Sequence, residues 1–396
     1  MRIASAISNV PSQYALVKDL EEQLKGSLQN QTPDLLLVFI SSALISTFAD
    51  IVADLKASMN PRNLLAISAE SVIGTDQEIE GAPAVSALAM AFGKSVTVTT
   101  FHLNEDEWPA LLTDDEALFA RLNTEDLRAF FMAADPFTTP VVQFLDACSR
   151  LFPTAPIVGG MASGMQQAGE ARLAIDDDIF SSGLVGVSFA GNIEVDCVVS
   201  QGCRPVGPTF EITRCDKNII QQLDGRPALT VIEEMITTLP LHDRQLLATG
   251  GLQIGRVVDQ GKGNLGKGDF VMRSLLGVRR ETGAILVGDV IATGQILQFH
   301  LRDAKSAEED MRLLLEGEIQ LADPPAAAVL VTCNSRGVRF FDMPHHDVTL
   351  TRQILGNIPI AGFFAAGELG PIAQKNFIHG HTAALALFRQ PLRQGP

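Results

Sequence analysis

Between Leu35 and Val199 one order of apolar segments runs twice, and a repeated unit confines a chain to folds in which the copies bury one another's apolar faces. In the first copy, Leu35–Ile40 reads as a buried strand, Ala43–Leu55 as a helix, Leu64–Ile67 as a strand, and Val85–Ala91 with Val96–His102 as a hairpin. The second copy gives an apolar Ala129–Ala133, a helical Thr139–Leu151, Ile157-Val158 running into Gly159-Gly160, and Leu184–Ala190 paired with Ile193–Val199. Both hairpins place Gly first in a two-residue loop, Gly93-Lys94 and Gly191-Asn192, as a type II′ turn requires. The pattern predicts an internal duplication of 34–103 and 129–201. Ahead of it, Ala15, Leu16, Leu20 and Leu24 define an amphipathic helix, capped near Asn9 or Ser12 and stopped at Gly26.

The second half reuses these parts. A third hairpin is expected over Ile285–His300, turning at Gly294-Gln295, followed by a helix from near Ala304. Strands at Ala327–Thr332, Ile360–Ala365 and Thr382–Phe388, with a helix at Val348–Leu355, repeat the strand–helix–strand scheme. Turn formers gather after Cys203, at Gly207-Pro208, Asp224-Gly225 and Pro227, ahead of a helix near Ala228–Met235. They place a boundary between domains 1–215 and 216–391. The expected class is α+β: two related halves with mixed or antiparallel sheets, stacked and covered by outer helices, for which a four-layer αββα sandwich is one arrangement.

Length agrees, since 396 residues exceed what a single core usually serves. The 30 Lys+Arg against 46 Asp+Glu leave a net charge of -16, which repels nucleic acid and anionic lipid and excludes both as partners. Five scattered cysteines without a CxxC pair fit neither a disulfide framework nor a zinc ribbon and point to a reducing cytoplasm. The start, MRIASAISNVPSQ, lacks the basic and apolar regions of a leader, and Leu35–Ala49 is too short to span a bilayer. A cytoplasmic, membrane-free protein is expected.

Six stretches carry a resemblance: QGCRPVGP (Gln201–Pro208), QQLDGRPAL (Gln221–Leu229), FVMRSLLGV (Phe270–Val278), FHLRDAKSAEED (Phe299–Asp310), TCNSRG (Thr332–Gly337) and the terminal GFFAAGELGPI…NFIHGHTA. With the looser SAESVIG (Ser68–Gly74) and IVGGMASG (Ile157–Gly164), they resemble the FIST (F-box and intracellular signal transduction) family over nearly the whole chain. The resemblance implies FIST N and FIST C domains in an intracellular sensory module that binds small ligands such as amino acids. The chain carries no F-box, methyl-accepting segment or kinase, so its output would pass through a separate signalling protein.

Glu368, between Gly367 and Gly370 in an apolar run, must meet water or a donor, since an unpaired buried carboxylate costs several kcal/mol. It could receive a ligand's amino group or merely pair internally. Arg336 follows a strand end, where open α/β sheets bind ligands, and its planar fork suits a carboxylate; the alternative is a salt bridge to Glu368 or Asp342. Arg204 and Arg273 offer the same choice between anion ligand and ion pair. Gly160, after a strand, could line a cavity or form a tight turn.

Cys333 with His379 as base, and Asn376 or Glu368 as orienter, would give a cysteine-dependent hydrolase or transferase; a buried, inert thiol is the competing reading. His379 and His381 share a face if extended, yet only His345-His346 could complete a metal site, so none is expected. GKGNLGKG (Gly261–Gly268) lacks the hydroxyl residue and the following helix of a phosphate loop, and reads as a surface loop. No cofactor is implied. The expected function is a small-ligand sensory protein, with Glu368 and Arg336 holding the two ends of an amino acid and Cys333, Asn376 and His379 nearby. A cysteine enzyme and a ligand-free interaction module are the alternatives.

Overall fold

A computed structural model describes residues 1–321 and 323–390; residue 391, at the end of the expected second domain, lies outside them. The chain forms two compact units, the first of 1–199, 312–378 and the segment from 382 onward, the second of 200–311 with 379–381. The class is α+β, with mixed and antiparallel sheets and helices on their outer faces.

The first unit opens with β1 (Arg2–Ser8), the helix Gln13–Leu28, β2 (Leu35–Ser41), the helix Phe48–Met59, β3 (Leu64–Ala69), the short hairpin β4 (Val72–Ile73) and β5 (Glu78–Ile79), and β6 (Val85–Ala91). The series returns as β7 (Val96–Leu103), the helix Asp115–Leu122, β8 (Leu127–Ala134), the helix Val141–Leu151, β9 (Ile157–Met161), the hairpin β10 (Leu173–Ile175) and β11 (Asp178–Phe180), and β12 (Leu184–Gly191). A third round begins with β13 (Glu194–Gln201). The second unit then intervenes, with β14 (Cys203–Asp216), β15 (Ile219–Leu223), β16 (Arg226–Pro227), β17 (Leu252–Val257), β18 (Phe270–Arg279), β19 (Ala284–Val287) and β20 (Ile296–Arg302). The third round resumes through the helix Ala304–Leu321, β21 (Ala327–Cys333), the helix His346–Leu355, β22 (Ile360–Ala365), the hairpin β23 (Glu368–Ile372) and β24 (Lys375–His379), and β25 (Thr382–Arg389).

Sheet order exposes the symmetry of these rounds: β1-β6-β2-β3-β10-β11, β7-β12-β8-β9-β23-β24 and β13-β25-β21-β22-β4-β5. In each, two parallel strands flank the round's helix and its last strand runs antiparallel beside the first. The sheet is then extended by a hairpin taken from another round. Matching backbone bonds fix the three exchanges: Ser68 N donates to Arg172 O at 2.9 Å, Met161 N to Gly367 O at 2.8 Å and Phe364 N to Ser71 O at 3.0 Å.

Consecutive strands expected to pair as hairpins do not. β6 and β7 enter different sheets, as do β12 and β13, and β19 and β20 are not neighbours. The glycine turns exist, but burial decides partnership: β6 is buried throughout and takes a central position, whereas β7 alternates and serves as an edge.

Leu35, Leu37 and Phe39 of β2 face a central core shared by all three sheets, to which Phe131, Val331 and Phe363 contribute from the other two. Leu36, Val38 and Ile40 face the outer helices instead. Burial on both faces explains why the run LLLVFI has no polar alternation. At the centre the Phe39 ring stacks on Phe363 with centroids 5.3 Å apart and meets Phe131 edge-on at 6.3 Å.

In the second unit β14 pairs both with β20 and with β15, closing the order β14-β20-β17-β18-β19-β15 into an antiparallel six-stranded barrel. Register shifts in β14 and β18 let those two long strands turn its corners. Inside lies a cavity of about 10 Å³, ringed by Ile212, Ile220, Ile254, Val287 and Leu297 from five of the strands. Loop 259–266 and the strand from Phe270 stand as expected, and helices Ala228–Thr238 and Leu241–Gly250 complete the unit.

Candidate functional site

Glu368 starts β23 rather than lying in a loop, because its backbone pairs with Gly160 of β9. That pairing leaves no room for a side chain at Gly160, where a Cβ would stand 2.8 Å from the Ala365 Cβ. Gly367 and Gly370 are equally constrained, by Ile378 and Val199. These three glycines are thus explained by close packing around the acid. Asn376 secures the same hairpin: its Oδ1 accepts from Ile157 N at 2.9 Å.

The Glu368 carboxyl is 0% exposed. Its Oε2 accepts from Thr382 N at 3.2 Å and from Thr382 Oγ1 at 2.7 Å, while Oε1 has no conventional hydrogen-bond partner. Burial pushes its pKa up to about 8, against the opposing pull of the Thr382 donors, the Arg336 charge and the Cys333 thiol. At neutral pH it is therefore largely a neutral acid.

Arg336 is 1% exposed, in the turn that follows β21. Its fork grips Asp347, Nε to Oδ2 and Nη2 to Oδ1, both at 2.8 Å, and its Cζ lies 5.0 Å from the Phe341 ring centre. The partner is thus Asp347, in the first turn of the helix His346–Leu355, and not Glu368 or Asp342. Thr332 Oγ1 donates to the same carboxylate at 2.7 Å and His346 Nδ1 lies 3.0 Å from it. Against burial, which would raise it, Arg336 and His346 hold Asp347 well below the usual carboxylate range. Nη1 of Arg336 has no hydrogen-bond partner.

Glu78 completes the nest from the first round's hairpin. Its Oε1 accepts from Val348 N at 2.9 Å, capping the helix that carries Asp347. Burial and the Asp347 charge push its pKa up to about 8. The nest thus joins three buried carboxyl groups, Glu78, Asp347 and Glu368, to the single buried guanidinium of Arg336. Cys333, ending β21, lies beside it with Sγ 3.1 Å from Ser335 Oγ.

Sequence reasoning found Glu368, Arg336 and Cys333, which the fold brings together, and missed Asp347, Glu78, Thr332 and Thr382. Asp347 did carry a signal, as the acid after His345-His346 at a helix start. Arg204 and Arg273 lie in the second unit. Arg204 pairs with Asp303, Nε to Oδ2 at 2.7 Å, and with Asp243, tying β14 to two helices. Arg273 Nε lies 3.0 Å from Asp289 Oδ2 in the barrel. His379 also belongs to the second unit, and His381 takes a positive φ of 63° that ends the strand before it. Among the described residues no group of three or more His, Cys, Asp or Glu is placed to hold a metal.

No described helix is long and apolar enough to cross a membrane. Residues 34–226 match the FIST N domain and 228–371 the FIST C domain. The chain is 37% identical over 391 residues to an uncharacterized protein of Mycobacterium tuberculosis (strain CDC 1551 / Oshkosh), MT0656, covering 98% of this chain and 100% of that one. It is 36% identical to an uncharacterized protein of Mycobacterium bovis, Mb0898c, over 98% and 99% of the two chains. FIST domains are sensory domains of signal transduction, and with both domain types matched along its length this chain belongs to the FIST family.

Proposed function

We propose that the protein is a cytoplasmic sensor of an amino acid or similar small metabolite, that Glu368 and Arg336 are its recognition pair, and that a separate signalling protein reads its state. One observation carries this reading: the two buried groups of opposite kind each retain an unused polar atom, Oε1 of Glu368 and Nη1 of Arg336. Once ionised, Glu368 acts on Arg336, so a cationic group that draws off its proton would be felt at both. A buried polar atom without a partner costs about 1–3 kcal/mol, which a ligand supplying the missing partner would recover. An α-amino group meets the acid and an α-carboxylate meets the free edge of the guanidinium. Full burial requires the nest to open for entry.

A thermal-shift screen of amino acids and small metabolites tests the proposal. A true ligand at a hundredfold its Kd adds about 2.7 kcal/mol of stability, and Glu368→Gln abolishes that gain while leaving the protein folded. Silence from every compound in the wild type, or an equal response in Glu368→Gln, removes the site.

A further inference from the structure

The nest around Arg336 has a third open atom. Besides Oε1 of Glu368 and Nη1 of Arg336, Oε2 of Glu78 is buried without a hydrogen-bond partner. The other oxygen of Glu78 is occupied by Val348 N at 2.9 Å, so the carboxyl is held from one side and open on the other. Its surroundings are acidic. Half-buried Glu80 lies against the turn that follows Arg336: its Oε1 accepts from Val338 N at 2.9 Å, and both its oxygens stand 2.6 Å from where a Cβ on Gly337 would be. Burial opposes the ionisation of Glu78 first, and the charges of Asp347 and then Glu80 add to it. A cation brought to Oε2 would meet a favourable field, whereas an anion would be repelled and an apolar group would leave the atom open. Arg336, by contrast, already spends two nitrogens on Asp347 and offers one. The three open atoms thus ask for two amines and one carboxylate.

We infer that the ligand is a diamino acid. This rests on the recognition pair proposed above and extends it by one residue: the α-carboxylate meets Nη1 of Arg336, the α-amino group meets Oε1 of Glu368, and a side-chain ammonium meets Oε2 of Glu78. A neutral amino acid leaves Glu78 Oε2 unanswered, and a simple diamine leaves Arg336 Nη1 unanswered, so each keeps a buried polar atom without a partner. Glu78 lies on the hairpin lent to the third sheet and Glu368 on the hairpin lent to the second. One diamino acid would therefore clasp two exchanged hairpins to the turn that carries Arg336.

The test is isothermal titration of the full chain, at neutral pH and constant ionic strength, with free lysine, ornithine, norleucine and cadaverine. Norleucine lacks the side-chain amine and cadaverine lacks the carboxylate. Expected is saturable binding of lysine or ornithine, tighter than either control by about tenfold or more, the value of one hydrogen bond to a charged group. Glu78→Gln, whose amide oxygen can still accept from Val348 N, brings lysine and ornithine down to the norleucine level. The comparison of compounds in the wild type decides the matter should that variant fail to fold. Norleucine binding as tightly as both diamino acids, or their preference surviving in Glu78→Gln, overturns the diamino assignment and leaves the recognition pair standing. Cadaverine binding as tightly as they do overturns it too, since Arg336 would then hold nothing. Silence from every one of these compounds overturns it as well; a neutral amino acid that still responds in the thermal-shift screen keeps the recognition pair, and silence there removes both.

Discussion

Asp347 and Arg336 show how strongly a buried pair depends on both members. Removing one partner of a buried, bidentate pair leaves a charge without compensation and costs about 3–5 kcal/mol. Asp347→Ala is expected to lose that much in urea unfolding, and Asp347→Ala with Arg336→Met to recover most of it. Glu368 and Glu78 act in a different pH range. Unfolded, each loses its proton near 4.5, whereas folded each holds it to about 8. Their contribution is fully present below pH 4.5 and disappears as the pH rises through 8. Urea unfolding from pH 5 to 9 should show a decline on the order of a few kcal/mol, flattened in Glu368→Gln. Asp347, with its lowered value, has the opposite sign, and its share is lost only in strong acid. Glu368 was legible because an acid in GFFAAGELGP contrasts with its neighbours. Asp347 and Glu78 sit among polar residues, and only three-dimensional packing removes them from water.

At the scale of elements, one-dimensional pattern located most long helices and strands but not their partners. The strand Arg2–Ser8 escaped because its Ala and Ser residues carry little apolar contrast, and the lent hairpin β4–β5 escaped because two-residue strands have no period. Glycines divide by the same logic. Gly159 has φ +147°, and a Cβ there would lie 1.8 Å from Met132 O, so Gly159→Ala forces β8 and β9 apart. A loss of more than about 4 kcal/mol is expected, read as failure to accumulate folded protein. Gly26, inside the helix Gln13–Leu28, has nothing within 4 Å of the same position. Gly26→Ala should therefore raise stability by about 0.5–1 kcal/mol in the same assay.

For the whole molecule, the separate cores of the two units imply separable unfolding. Phe363 lies in the core common to the three sheets and Phe299 in that of the barrel. Calorimetry should resolve two transitions, with Phe363→Ala lowering one and Phe299→Ala the other, each by about 3–5 kcal/mol. Sequence revealed the strand–helix–strand scheme in both halves because each copy keeps its apolar order. It hid the exchange of hairpins, since nothing in a hairpin's own residues names the sheet that receives it. The junctions between rounds carry a last consequence. Gly93-Lys94 joins the first to the second and Gly191-Asn192 the second to the third. At the corresponding place after the third, the Met1 amino group donates to Gln390 Oε1 at 3.2 Å. Residues 1 and 390 thus meet where the third round returns to the first, and a chain joined between those two residues and cut open at Lys94 would trace the same path from a different starting point.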